Sequence, residues 1–118
     1  MKEELIIYQK YSDLISYAYN LLVKYPKSEK FALVSEIRSN MFKTLQDILF
    51  INHDFDRNTK LKILNELDAL IGMHKFYVRF SYSRKYINSS NYMEWSKRIN
   101  EIGRIVGGWY RYNAKAKE

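Results

Sequence analysis

Apolar residues recur every three or four positions along nearly the whole chain, and a single proline is the only outright break in that pattern. This spacing paints one face of an α-helix, and four glycines in 118 residues leave few points at which a helix can stop. The chain is thereby confined to a few long helices joined by short connections. At this length it supports one hydrophobic core, so residues 1–118 are read as a single domain.

The spacing predicts helices over about 4–24, 27–52, 58–87 and 91–113. In the first, Ile7, Tyr11, Leu14, Ala18, Leu21 and Leu22 share a stripe that continues to Tyr25, and Pro26 ends it by disfavouring helical geometry at the residue before it. The second is expected to start at Pro26 to Ser28, with Ser28 as a cap and Glu29 near the N-terminus. Its stripe reads Phe31, Val34, Ile37, Met41, Leu45, Ile48 and Ile51. The polar turn from Asn52 to Asn58, acidic at Asp54 and Asp56, offers Asp56, Asn58 or Thr59 as the next cap. The third helix has the widest apolar face: Leu61, Leu64, Leu67, Ile71, His74 and Val78, flanked by Ile63, Leu70, Tyr77 and Phe80. Its aromatic run Phe76 to Tyr82 alternates loosely as a strand would, but it lies inside a helical pattern without turn signals and is read as helix. After Asn88-Ser89-Ser90-Asn91, the fourth helix carries Tyr92, Trp95, Ile99, Ile102, Val106 and Trp109 in a coiled-coil-like seam. An all-α, antiparallel up-down-up-down four-helix bundle is the arrangement that fits.

Hydrophobic residues at 47% and charged residues at 28% match an ordinary globular domain. Cysteine is absent, which removes disulfides, thiolate nucleophiles and sulfur-ligated zinc, and fits a reducing compartment. The apolar run Ile48-Leu49-Phe50-Ile51 is far short of the roughly 20 residues of a membrane span. The start Met1-Lys2-Glu3-Glu4 lacks a signal-peptide pattern, so a cytoplasmic protein without membrane association is expected.

Charge is unevenly distributed. Residues 1–56 hold 7 Lys/Arg against 8 Asp/Glu, whereas residues 57–118 hold 13 against 5. On the fourth helix Lys97, Arg104 and Arg111 repeat every seven residues, broadened by Arg98 and Lys115. On the third, Lys75, Arg79 and Arg84 follow one another, with Lys85 beside the last. One reading makes these solvated faces that also complement helix C-termini. The other makes them a nucleic-acid-binding surface, with Tyr77, Tyr82, Tyr86, Tyr110 and Tyr112 interleaved to stack on bases while the cations hold phosphates. A polyanion is the class of partner such charge favours: nucleic acid, RNA or DNA, first and an anionic membrane surface second.

Gly103, Gly107 and Gly108 sit inside the fourth helix, where each costs about 1 kcal/mol relative to alanine. With Trp95 and Trp109 they are read as a helix contact, within the bundle or between subunits. No metal site or cofactor is expected. His53 and His74 lack ligand spacing, and there is no Gly-rich phosphate loop, nucleophile elbow or Ser/His/Asp set. The Arg and His spacing of bundle-shaped HEPN ribonucleases is also missing, so no catalytic residue is assigned and the chain is not read as an enzyme.

Tyr11 to Tyr19, Tyr25-Pro26-Lys27-Ser28-Glu29-Lys30-Phe31 with Glu36-Ile37, and above all Glu101-Ile102-Gly103-Arg104-Ile105-Val106-Gly107-Gly108-Trp109 resemble the Avd proteins of diversity-generating retroelements. The Tyr-Pro-Lys connection is also similar to that of the four-helix proteins encoded in intervening sequences of large ribosomal RNA genes. The first resemblance implies a ring-shaped homopentamer of four-helix protomers, basic outside. It implies an accessory subunit that binds the retroelement reverse transcriptase and its template RNA and supports mutagenic cDNA synthesis and retrohoming. The second implies the alternative, a structural or interaction bundle without a reverse transcriptase partner.

Overall fold

The computed structural model describes residues 2–53 and 55–115, so Asp54 of the acidic turn lies outside the described residues. Four helices follow one another: α1 (Lys2–Leu22), α2 (Leu33–Phe50), α3 (Arg57–Ser83) and α4 (Ser89–Lys115), with a 3₁₀ turn at Lys27–Glu29 between the first two. No strand occurs among the described residues, and the aromatic run of α3 is helical. Each helix packs on its neighbours in sequence, and α1 closes the bundle against α4, while diagonal pairs stay apart. The result is a rod of 50 × 25 × 21 Å, whose long axis suits the roughly 40 Å of a 27-residue helix.

The core is the four predicted stripes turned inward. Ile7, Tyr11, Leu14 and Ala18 of α1 meet Ile37, Met41 and Ile48 of α2, Leu64, Leu67, Ile71 and Val78 of α3, and Trp95, Ile99, Ile102 and Val106 of α4. Burying each large aliphatic side chain contributes about 1.5–3 kcal/mol, which makes the stripes the dominant favourable term.

Polar groups set the register between the stripes. The indole N–H of Trp95, fully buried on α4, donates to Nε2 of His74 on α3 at 2.8 Å, with the rings edge to face. Asn40 of α2 donates to the backbone carbonyl of Leu70 at 3.0 Å, and Thr44 folds its hydroxyl onto the Asn40 carbonyl at 2.8 Å. On the wetter flanks, Lys10 pairs with Glu101 at 2.8 Å across α1 and α4. Lys43 bridges Asp47 and Glu66 at 3.0 and 3.1 Å across α2 and α3.

The α1–α2 connection differs from the sequence expectation. Pro26 is extended (φ −56°, ψ 146°), the 3₁₀ turn follows, and α2 begins only at Leu33, not at residue 27. Ser28 makes no capping bond. Glu29 does that work from outside the helix: one carboxylate oxygen accepts the Leu33 N–H at 3.2 Å and the other the Tyr86 hydroxyl at 2.7 Å. These bonds, the Tyr86 one foremost, hold the Glu29 carboxyl below its usual range. The turn also swings Phe31 out of its expected stripe, leaving it 88% exposed with the Lys30 ammonium over its ring. At α3 the Asp56 carboxylate accepts the Thr59 N–H at 2.8 Å, one of the caps foreseen.

α3 stops at Ser83, short of residue 87, because Lys85 turns left-handed (φ 64°). Tyr86 N–H then donates to Ser81 O and Lys85 N–H to Tyr82 O, both at 2.9 Å, the paired bonds of a Schellman motif in which glycine is the usual left-handed residue.

Two stability predictions follow from these features. Lys85→Gly is expected to stabilise the fold by about 0.5–1 kcal/mol by relieving the left-handed backbone. Gly72→Ala, whose new methyl meets nothing within 4 Å, should stabilise it by about 1 kcal/mol. Urea titration of each variant checks the sign.

Burial pushes the His74 imidazole down to about 3, so it is neutral in the folded chain, whereas in the unfolded chain it gains a proton near its ordinary 6.5. The unfolded state therefore binds more protons between these values, and the contribution of His74, complete above pH 6.5, is lost as pH falls. From pH 7 to pH 5 the loss is expected to be roughly 2 kcal/mol. Asp47, whose carboxyl burial raises, works in the opposite direction. His74→Gln, which keeps an acceptor for Trp95, should flatten the slope; denaturant midpoints that fall as steeply as in the parent would refute this account.

Candidate nucleic-acid interface

The seam that buries Trp95 and His74 determines what faces outward beside it. With Ile71 Cγ2 only 3.6 Å from where a Cβ of Gly103 would stand, α3 and α4 run close together, and a groove of about 600 Å³ opens along their outer side. Lys75, Arg104 and Arg111 line it, together with Gly72, Gly103, Gly107, Asn100 and Asp68. None of the three cations forms an ion pair among the described residues.

The other predicted cations are dispersed. Lys97 is exposed on α4 but does not line the groove. It lies with Arg104 in the neighbourhood of Glu101, whose carboxyl is held below its usual range first by the Lys10 bond and then by the positive charges around it. Arg98 is engaged: its Nε–H donates to Glu94 at 2.8 Å, and its guanidinium lies 4.8 Å from the Tyr17 ring centroid, tying α4 to α1. Arg79 is exposed one turn beyond Lys75. Arg84 and Lys85, also exposed, sit past the end of α3, about 30 Å along the bundle axis from Arg111. The eight residues read together from sequence thus divide into a groove group, an engaged arginine and two outlying sets.

The predicted contact residues divide as well. Trp95 makes the α3–α4 contact, and Trp109 is half-buried against the core. The glycines are not packed against a neighbouring helix backbone. A Cβ at Gly107 would meet Nη1 of Arg111 at 3.4 Å, and one at Gly108 would meet Nη2 of the same residue at 3.9 Å. Within the protomer the close-approach explanation therefore does not hold for these two. Gly72, which the sequence reading passed over, belongs with them: it is a helix-interior glycine of the same cost, and the spacing Asp68, Gly72, Lys75 places all three on one face.

Two apolar features adjoin this face. Ile6, Ile105, Gly108, Trp109 and Tyr112 line a second, mainly apolar groove of about 510 Å³ between α1 and α4, with Arg104 at the boundary it shares with the first. Met73, Phe76 and Phe80 form an exposed row on α3, the two phenylalanine rings stacked at 5.7 Å.

His74 is buried, neutral and committed to Trp95; His53 stacks on Phe55 in the α2–α3 turn. No cluster of three or more His, Asp or Glu side chains suited to a metal occurs among the described residues. No helix is long and apolar enough to cross a membrane.

Fold and surface together define a helical-bundle protein whose open features are grooves. Its family is bAvd-like: the model of that family matches residues 5–113, and the chain belongs to it. Comparison with curated proteins gives no match.

Proposed function

We propose that the chain is a non-catalytic accessory subunit of a diversity-generating retroelement, binding RNA and the element's reverse transcriptase as a ring-shaped homopentamer. The observation that carries this reading is the bAvd-like match over residues 5–113, nearly the whole chain. Two physical features support it. The cations of α3 and α4 present a positive face whose three groove members form no ion pair among the described residues, which suits phosphate. The exposed Met73, Phe76 and Phe80 row and the α1–α4 groove are apolar surfaces of the kind that subunit contacts cover. A ring needs two different faces that meet head to tail, and these lie on different helix pairs.

Binding to a structured RNA should weaken about a hundredfold between roughly 50 and 200 mM salt, if about five cations engage phosphates. Charge reversal at Lys97, Arg104 and Arg111 together should abolish most of it. Filter binding across the salt series checks both, and affinity indifferent to salt would defeat the RNA reading. Co-purification with a reverse transcriptase encoded beside the gene tests the protein partner; an RNA-independent bundle that ignores the polymerase would favour the intervening-sequence type of role instead.

With 14.3 kDa per chain, the ring should sediment near 70 kDa. A monomer at micromolar concentration would remove the pentamer and leave the bundle intact.

A further inference from the structure

We infer that the α3–α4 groove is the track along which the RNA backbone lies, and that the helix glycines serve this track by seating cationic heads on its floor. The inference rests on the RNA-binding reading above and assigns it a place.

Helix-interior glycines need a compensating role, and packing against a neighbouring helix does not supply one at Gly107 or Gly108. What occupies the space above them is charge. The Lys75 Nζ lies 3.7 Å from the position of a Gly103 Cβ, and Nη1 of Arg111 lies 3.4 Å from that of Gly107. Both side chains thus pass close over α4, Lys75 half-buried and Arg111 still exposed. Cations gathered in a concavity attract an anion more strongly than the same cations dispersed on a convex surface.

Three cations elsewhere on the bundle are paired with carboxylates: Lys10 with Glu101, Lys43 with Asp47 and Glu66, Arg98 with Glu94. Lys75, Arg104 and Arg111 form no ion pair among the described residues, although Asp68 lines the same groove. An array of that kind fits a chain of phosphates.

A helix of a second copy is the competing occupant. It would require an apolar floor, and the apolar groove is the other one, between α1 and α4. Beyond Lys75, the α3 row through Arg79 arrives at Tyr82, whose ring stacks on Tyr92 of α4 at 4.5 Å and 17°. Tyr82 is about 10 Å along the helix from Lys75, and its exposed aromatic surface suits an unpaired base.

The test uses fluorescence anisotropy with the full chain and a fluorescein-labelled, single-stranded RNA of about 20 nucleotides, a length above common single-strand site sizes. Gly72→Leu and Gly107→Leu fill the groove without changing charge. Each is expected to weaken binding at least about tenfold, and together they should reduce the salt slope by about 2, the loss of three phosphate contacts. Asp68→Asn should tighten binding about twofold to threefold by removing the groove's acid. Lys27→Ala with Lys30→Ala, on the 3₁₀ turn, should leave it unchanged. Gly72→Leu guards against a folding artefact, since its side chain starts from open space, and circular dichroism confirms the helix content.

Filled variants that bind like the parent, while reversal of Arg84 and Lys85 abolishes binding, would overturn the track and leave the RNA reading standing. Filled variants that lose their oligomeric state yet keep RNA affinity would show that the groove holds a second copy. A parent chain that does not bind the RNA at low salt would defeat the reading itself.

Discussion

A dry hydrogen bond between two aromatic side chains sets the geometry on which the outer face of this bundle depends. Trp95 and His74 are both excluded from water, so the indole N–H has one place to go and the imidazole must present a bare Nε2 to receive it. A buried donor left alone costs about 1–3 kcal/mol, so sliding α4 past α3 by one residue would be opposed by both partners. Apolar stripes alone are more permissive, because neighbouring leucines and isoleucines can interdigitate in more than one register. The buried pair therefore converts a sticky seam into a specified one. It also explains the neutral His74: protonation would take away the acceptor and place a charge where nothing faces it.

The groove is a consequence of that register. Ile71 sits one turn before His74, and on α4 Gly103 lies two turns beyond Trp95; Ile71 Cγ2 lies 3.6 Å from where a Cβ of Gly103 would stand. Side chains that would otherwise bridge the outer side are missing at Gly72, Gly103 and Gly107, so the space remains open and the ends of Lys75 and Arg111 enter it. At the opposite end of α3, the left-handed Lys85 returns the chain so that Tyr86 can reach Glu29. That contact ties the α1–α2 connection to the α3–α4 connection, setting the Tyr86 ring tilted against Tyr25 at 5.1 Å. Burial raises the Tyr25 hydroxyl to about 12, so it remains protonated in this tie.

Most of the core was legible because a helical stripe is a local property: Ile7 to Tyr25, Leu64 to Val78 and Trp95 to Val106 point inward as their spacing says. Asp56 was legible for the same reason, since a cap acts three residues away. Phe31 was not. Its position obeys the spacing, but Pro26 and the Glu29 cap delay the helix, and the cap depends on Tyr86, 57 residues distant. Arg98 likewise repeats with the other α4 cations, yet its partners are Glu94 and, from another helix, Tyr17. Gly72 had a readable signal, a glycine inside a strong helical pattern, which the more conspicuous glycines of α4 overshadowed.

Net charge is a poor guide to where such a protein would hold a polyanion. The chain carries only +7, and Lys10, Lys43 and Arg98 are neutralised locally by carboxylates across helix pairs or one turn away. What distinguishes the α3–α4 groove is the arrangement of its cations: three lie in a concavity, without ion pairs among the described residues, with two of their heads over the glycines of α4. Screening over a Debye length of about 8 Å at physiological salt erases the influence of distant surface charge but not of charges in contact. A groove of this type therefore matters more than the total, and the glycines that open it are as much part of its electrostatics as the cations themselves.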